Sequence, residues 1–346
     1  MVRQDAGERQ VIRDVLFGSI LCGFNFLSVG RSHGEKYCGE EQGGKKQCKN
    51  FFHVWEVYPD GRRSSTGGWY NACNSMKPLV SVIITTKNEA SVIGELLTSL
   101  AGQTHKHFEI IVVDNHSTDD TRTVVRSFGA RVFTKGPERS AQRNFGAGRA
   151  AGNYLLFLDA DMVLEDGVIS ECMKEAKKNP DANVVVIPEK SVGVGYWAKC
   201  KALERACYVG DETIEAARFF DKQAFWEMGG YDEQLTGPED WDLPQRIRRK
   251  YAIARIQSYI LHNERNVTLL SLARKKYYYG RKVSRYIARH PISVTGQQLI
   301  YLLRPAFYRN WRRLLSHPIL TIGMMVMLVV EQTAGFLGFL AGRFFP

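Results

Sequence analysis

Between Leu243 and Leu315 the chain has almost no negative charge: Glu264 is the one acid against seventeen Lys and Arg. The formal net charge over 346 residues is +11, so this segment exceeds the whole excess and the remainder is slightly acidic. Cysteine has no pattern either. Four of the seven (Cys22, Cys38, Cys48, Cys73) fall in the first 75 residues without C-x-x-C spacing, which argues against a zinc site built from His33, Cys38, Cys48 and His53. The same 75 residues lack a sustained hydrophobic period. The apolar run "VLFGSILCGFNFLSVG" has acids ahead of it and no small-residue cleavage site behind it, unlike a signal peptide. Residues 1–75 therefore read as a dispensable extension ahead of Met76, whose "MKPLVSVIITTKNE" would itself open a protein. Glycine is missing from "TTKNEAS", which excludes the glycine-rich basic first loop of a nucleotidyltransferase. A disordered chain is excluded by the 44% hydrophobic content, enough for one sizeable core.

A regular pattern begins at Leu79. "LVSVIITT" is a continuous apolar, β-branched run of the kind a parallel sheet buries on both faces. In "SVIGELLTSLAGQ", Val92, Ile93, Leu96, Leu97 and Leu100 share one helical face. "EIIVVD", "ARVFT" and "NYLLFLDAD" are further strands, with "DDTRTVVRSF" and "SAQRNFGAGRAAG" as the helices between them. Strands alternating with helices specify an α/β domain with a mainly parallel sheet, flanked by helices, that binds ligands beyond the carboxyl ends of its strands.

Three of those strand ends are polar: Thr85, Lys87, Asn88 and Glu89 after the first, Asp114, Asn115 and Ser117 after the second, Asp159 and Asp161 after the fourth. Two carboxylates one residue apart repel, and a divalent cation or a sugar hydroxyl relieves that cost. Hard Mg2+ or Mn2+ is commonly held by one or two carboxylates plus the oxygens of a diphosphate, which leaves the second acid free to grip a ribose.

Taken in order, "SVIITTKNE", "VVDNHSTDDT", "RNFGAGRAAGNYLLFLDAD" and "GGYDE" followed by "GPEDWDL" resemble the family 2 glycosyltransferases over about residues 79–262. The resemblance implies a GT-A fold and inverting transfer of a sugar from a nucleoside diphosphate donor. By position, Thr85, Asn88, Glu89 and Asp114 would contact the nucleoside, with Ser117 supporting that loop. Asp159 would face the ribose and Asp161 the metal, with His262 as a candidate second ligand. In the pair Glu239 and Asp240, Asp240 would be the general base; Asp242 is the rival, and Glu239 would hold an acceptor hydroxyl. Arg143 would help neutralise the leaving diphosphate, and Trp241 would stack on an acceptor sugar or pack in the core. "GPEDWDL" also reads as a helix start, with acids favouring the N-terminal dipole. A haloacid dehalogenase phosphatase also begins from D-x-D, but Met162 stands where it needs Thr or Val. A catalytically silent nucleotide-sugar binder is the alternative from a different class.

The basic segment, residues 263–316, interleaves Tyr277, Tyr278, Tyr279 and Tyr286 with cations, the composition of a membrane-interface helix rather than a nucleic-acid binder. Residues 317–346 follow as an apolar run long enough to span a bilayer as a helix, or to enter one leaflet as a hairpin. Glu331 within it would cost about 2.5–3.5 kcal/mol if charged and facing lipid, so it should be protonated or paired. Arg309, Arg312 and Arg313 ahead of the run place the catalytic domain on the cytoplasmic side. Gly338 and Gly342 form a G-x-x-x-G through which copies could associate as a homo-oligomer. The acceptor expected at such a surface is an envelope saccharide, a saccharide carried on a polyprenyl lipid, or the lipid phosphate itself.

Overall fold

The computed structural model describes the backbone of residues 34–39, 47–57 and 63–70, and the chain over 80–179, 182–290, 296, 299–301 and 304–344. It divides into two compact units, Met1–Met76 and Lys77–Pro346. In the first, β1 (Gly34–Gly39), β2 (Gln47–Val57) and β3 (Arg63–Tyr70) form an antiparallel meander that sets Cys38 opposite Cys48. His33 lies outside the described residues.

The second unit follows the alternation read from the sequence. Its first half runs β4 (Val80–Thr86), α1 (Ile93–Ala101), β5 (Phe108–Asp114), α2 (Thr121–Ser127), β6 (Arg131–Thr134), α3 (Arg139–Arg149) and β7 (Tyr154–Asp159). After β8 (Met162–Leu164) and α4 (Val168–Lys178) come β9 (Ala182–Val186), β10 (Glu189–Val192), α5 (Tyr196–Tyr208), β11 (Ala217–Asp221), α6 (Lys222–Glu227) and α7 (Glu239–Ile247). β12 (Ala252–Arg255), β13 (Ile260–Asn263) and the helices α8 (Leu269–Lys282), α9 (Ser284–Arg289), α10 (Pro305–Arg309), α11 (Trp311–Ser316) and α12 (Pro318–Phe344) complete it.

Seven strands form one sheet in the order β12-β9-β11-β7-β4-β5-β6, with β11 alone antiparallel to both its neighbours. β4 lies inside it, between β7 and β5, and is buried at all seven positions. Val80, Val82 and Ile84 join one core with α1 and α4, while Ile83 joins a second on the opposite face. At about 2–3 kcal/mol per fully buried aliphatic side chain, this two-sided burial dictates the strand. The mixed sheet with helices on both faces is the GT-A arrangement.

A second, three-stranded sheet, β10-β13-β8, carries the chain away from the end of β7. It pairs His262 with Met162, and the Asn263 N–H donates to the Asp161 carbonyl at 2.8 Å, so two distant segments are brought together at the D-x-D turn.

In the C-terminal region one alternative is decided and one expectation is corrected. Residues 263–346 belong to the same compact unit as the sheet. Lys282 reaches Glu138, Arg285 and Arg289 reach Asp232, and Arg309 reaches Asp211, so much of the basic segment is stapled to acids of the domain. Of the two forms open to it, helix or hairpin, the apolar run takes the helix. Its G-x-x-x-G is occupied within the chain: a Cβ at Gly338 or Gly342 would overlap the carbonyl oxygen of Tyr277 or Arg281 on α8, so that face is not available to a second copy. Glu331 is paired as expected, to Lys201 at 3.1 Å and Lys276 at 3.4 Å.

Candidate active site

The rim at the carboxyl ends of β4, β5 and β7 gathers the polar clusters read from the sequence. Asp114 is fully buried and accepts from the Ser117 hydroxyl (2.5 Å), the Ser117 N–H (2.9 Å) and the Thr86 hydroxyl (3.1 Å). Ser117 Oγ in turn accepts from the Asn88 N–H, and Asn88 Oδ1 accepts from the Thr118 N–H, both at 2.8 Å. Asn88 has φ of 55°, a left-handed conformation that Asn tolerates better than most side chains. Asp114 was expected to touch the nucleoside; here both its oxygens are engaged in tying the β4 and β5 loops together. Glu89, expected beside it, pairs with Arg265 from the segment after β13.

Asp159 ends β7 among cations. It accepts from Thr85 Oγ1 (3.2 Å), Arg143 Nη2 (3.1 Å) and Arg139 Nη1 (3.3 Å), with Arg218 Nη1 at 3.8 Å. Burial raises its pKa, but Arg143, Arg139 and Arg218 outweigh burial and hold the carboxyl well below the usual carboxylate range. The cost of two neighbouring acids is thus met from different directions. Asp161 turns away to His262, whose Nε2 lies 3.5 Å from Asp161 Oδ2 and whose Nδ1 lies 3.3 Å from Glu189 Oε2. Burial lowers the His262 pKa, but Asp161 and Glu189 overcome that and raise it to about 9.

Arg143 departs from expectation. It was read as a partner of the leaving diphosphate, yet its side chain is fully buried and bridges Asp159 to Asp240, the latter at 2.5 Å. Its guanidinium also lies 5.0 Å from the Tyr231 ring centroid. It therefore fixes the spacing of two carboxylates, and the cations on the open side are Arg139 and Arg218. Neither was singled out from the sequence. Arg139 stands four residues before Arg143 on α3, a helical spacing that would have flagged it; Arg218 on β11 gave no comparable signal.

α7 opens at Pro238 with Glu239, Asp240 and Asp242 in its first turn, where the helix dipole favours them. Gly237 before it has φ of 103°, and a Cβ there would lie 2.9 Å from Tyr279 Cγ, so glycine is required on both counts. The three acids then separate. Asp242 is fully buried between Arg246 (2.8 Å), His290 (2.9 Å) and Arg289 (3.3 Å), which removes the rival base from the cavity. Glu239 is buried, its pKa raised by desolvation and by the charge of Asp240, and its Oε2 has no hydrogen-bond partner. Asp240 faces a cavity of about 230 Å³ that it lines with Asp159, Arg139, Arg218, Trp241 and His262. Trp241 both lines this cavity and packs against the Leu235, Val283 and Tyr286 cluster, its indole N–H donating to the Ile214 carbonyl at 3.0 Å.

The residues fit a shared metal site. Asp161 Oδ1 is buried and without a hydrogen-bond partner, and His262 would be the adjacent nitrogen donor. Among the described residues, no three His, Cys, Asp or Glu converge as a complete cation cage. A cation held there would need further oxygens, as a diphosphate and water supply.

Residues 81–231 match the model of Glycosyl transferase family 2. The chain is 27% identical to the GalNAc(5)-diNAcBac-PP-undecaprenol beta-1,3-glucosyltransferase of Campylobacter jejuni, over 47% of this chain and 57% of that protein. It is 40% identical to the validoxylamine A glucosyltransferase of Streptomyces hygroscopicus subsp. jinggangensis, over 49% of this chain and 51% of that protein. The chain thus spans between 51% and 57% of the length of these two relatives. The mannosyltransferase PcManGT from Pyrobaculum calidifontis, solved with GDP-Man and Mn2+, shares the fold with a TM-score of 0.57 at 16% identity, covering 78% of this chain and 88% of that one. Residues 81–231 thus resemble the family 2 glycosyltransferases, and the fold is GT-A.

Proposed function

We propose that the protein is an inverting hexosyltransferase that moves a sugar from a nucleoside diphosphate donor to a hydroxyl of a lipid-linked or envelope saccharide, on the cytoplasmic face of a membrane. The observation that carries this reading is the cavity itself, lined by Asp159, Asp240 and His262, with Asp161 behind His262 at 3.5 Å. The β4 and β5 loops, tied through Asp114 and Ser117, would receive the nucleoside, and Thr85 with Asp159 would hold the ribose. Asp161 and His262 would hold Mn2+ or Mg2+, which supplies charge neutralisation of the diphosphate when bound. Arg139 and Arg218 add positive charge where the leaving group develops its own.

Asp240 takes the acceptor hydroxyl proton as the acceptor oxygen bonds to the anomeric carbon from the face opposite the phosphate. The anomeric C–O bond breaks, and the nucleoside diphosphate leaves with its electron pair. Arg143 holds Asp240 Oδ1 and aligns the base with the donor carboxylate. A second reading, with a polyprenyl phosphate as the acceptor, is favoured by Lys201, Lys276 and Arg304 farther along the same cavity wall.

Calorimetry with UDP, GDP and dTDP, with and without Mn2+, tests the reading on the protein and on Asp161→Ala. Metal-dependent binding of one nucleotide, lost in the variant, is expected. Absence of binding by the folded protein would refute it. Binding without transfer to any acceptor would support the silent binder instead.

A further inference from the structure

α12 is inside out. Two of its polar residues face the protein: Glu331, 1% exposed, pairs with Lys201 of α5 and Lys276 of α8, and Gln332 accepts from the Tyr301 N–H at 3.1 Å. Apart from Thr333 and, in the last turn, Arg343, its exposed positions are apolar. Ile319, Ile322, Val326, Val329, Phe336 and Leu337 recur at helical spacing and are 44–73% exposed. A helix on a water-facing surface has the opposite polarity, and an apolar face running along a helix of about 40 Å is far more than scattered exposed residues.

Nor does the helix stand free, as a lone span would. The Tyr196 hydroxyl donates to the Ile319 carbonyl at 2.7 Å, Glu331 is held near the middle, and Gly342 meets the Arg281 backbone near the end. Carrying α12 alone across a bilayer would strip Glu331 from both lysines and leave a charge in hydrocarbon. Beside this face, α8 exposes Arg274, Lys275, Tyr277 and Tyr278, and the chain just ahead of α12 exposes Tyr308, Trp311 and Arg312. Arg274 and Lys275 have no carboxylate within ion-pair distance among the described residues. Rings and cations of this kind suit the headgroup level of an anionic bilayer.

We propose that α12 lies in the plane of an anionic lipid surface, its outward face in the headgroup–acyl boundary and its inward face on the catalytic domain, instead of crossing the bilayer. The docking mode stands on the helix alone; its consequence rests on the glycosyltransferase reading. Lys201 and Lys276 line the cavity and also hold Glu331, so a docked α12 sets the acceptor side of the cavity against the lipid from which a lipid-linked acceptor would come.

Flotation of the full chain with vesicles of phosphatidylcholine, with and without phosphatidylserine, tests the proposal. Salt-sensitive binding to the anionic vesicles is expected. Arg274→Gln with Lys275→Gln should weaken it about thirtyfold at low salt, and Ile322→Glu with Val326→Glu should abolish it. Nucleotide calorimetry on the same proteins should be unchanged, which confirms folding and keeps failure of this proposal distinct from failure of the enzymatic reading. A polarity-sensitive fluorophore on Ile319→Cys, Val329→Cys and Phe344→Cys should report one shallow depth. A deep Val329 between shallow ends would indicate a span and overturn the proposal, as would vesicle binding indifferent to both double variants. Absence of vesicle binding, with a dimer that Ile322→Glu and Val326→Glu dissociate, would overturn it in favour of a second copy on this face.

Discussion

At the scale of single residues, the site depends on which carboxylates are committed elsewhere. Asp242 is tied up by three cations, whereas Asp240 makes one hydrogen bond, to Arg143, and otherwise faces the cavity. Asp240→Asn keeps the shape and loses the proton acceptor, so kcat should fall about 10²–10⁴-fold with nucleotide affinity retained, as read by steady-state transfer beside calorimetry. Asp242→Asn should instead lower stability by about 3 kcal/mol, because Arg246 and the neighbouring buried groups lose their counter-charge; thermal unfolding distinguishes the two. Arg143→Lys probes the bridge: a lysine is a point charge without the planar fork, so it can serve Asp159 or Asp240 but not both. Transfer should drop while the metal-dependent part of nucleotide binding survives. The acids were legible in the sequence because they interrupt apolar strands or open a helix. Of the cations around them Arg143 was singled out, though for another role, and Arg218 was not, since it lies on a strand reversed within the sheet and its partners Asp159 and Glu189 belong to other elements.

At the scale of elements, the parallel strands were legible because burial on both faces leaves continuous apolar runs. β8 and β10 were not, because strands of three or four residues carry too little pattern, although with the strand-like "IQSYILH" that becomes β13 they bring His262 to Asp161. The length and apolarity of α12 were also legible; its inward polar face was not, because the partners Lys201 and Lys276 lie far off in the chain. How closely α8 and α12 approach is a matter of glycine, and that gives a test. Gly338→Ala drives a methyl into the Tyr277 carbonyl and should destabilise by about 1–3 kcal/mol. Gly148→Ala, on α3 with nothing within 4 Å of the new Cβ, should be neutral or stabilise by about 0.5–1 kcal/mol. Comparing the two in thermal unfolding separates helix propensity from helix contact. Equal effects would mean that the α8–α12 approach is looser than described.

At the scale of the whole molecule, the basic C-terminal region is held to a slightly acidic domain, and that attachment should respond to pH. Lys282 of α8 lies 2.5 Å from Glu138, while Arg285 and Arg289 of α9 lie 2.9 and 2.7 Å from Asp232. Burial alone would raise both carboxyl pKa values, but Lys282 and Thr236 at Glu138, and the Gln234 N–H with the two arginines at Asp232, bring each below its ordinary value. A carboxyl whose pKa is depressed by folding binds more protons when unfolded. The stability it contributes is therefore complete above the unfolded values of 4.5 and 3.8 and is lost as pH falls through the folded ones. Both acids are partly exposed, so about 1 kcal/mol each is the reasonable scale, and added salt should reduce it. Melting temperature should thus hold steady at neutral pH and decline below about pH 4.5. Glu138→Gln with Asp232→Asn should melt lower at neutral pH and lose less on acidification, so that the two curves converge in acid. Parallel curves would place the acid sensitivity in other carboxylates, such as Glu109 with its Arg131 partner in the sheet. Convergence would establish that the helices carrying the basic charge are fastened to the domain by these acids.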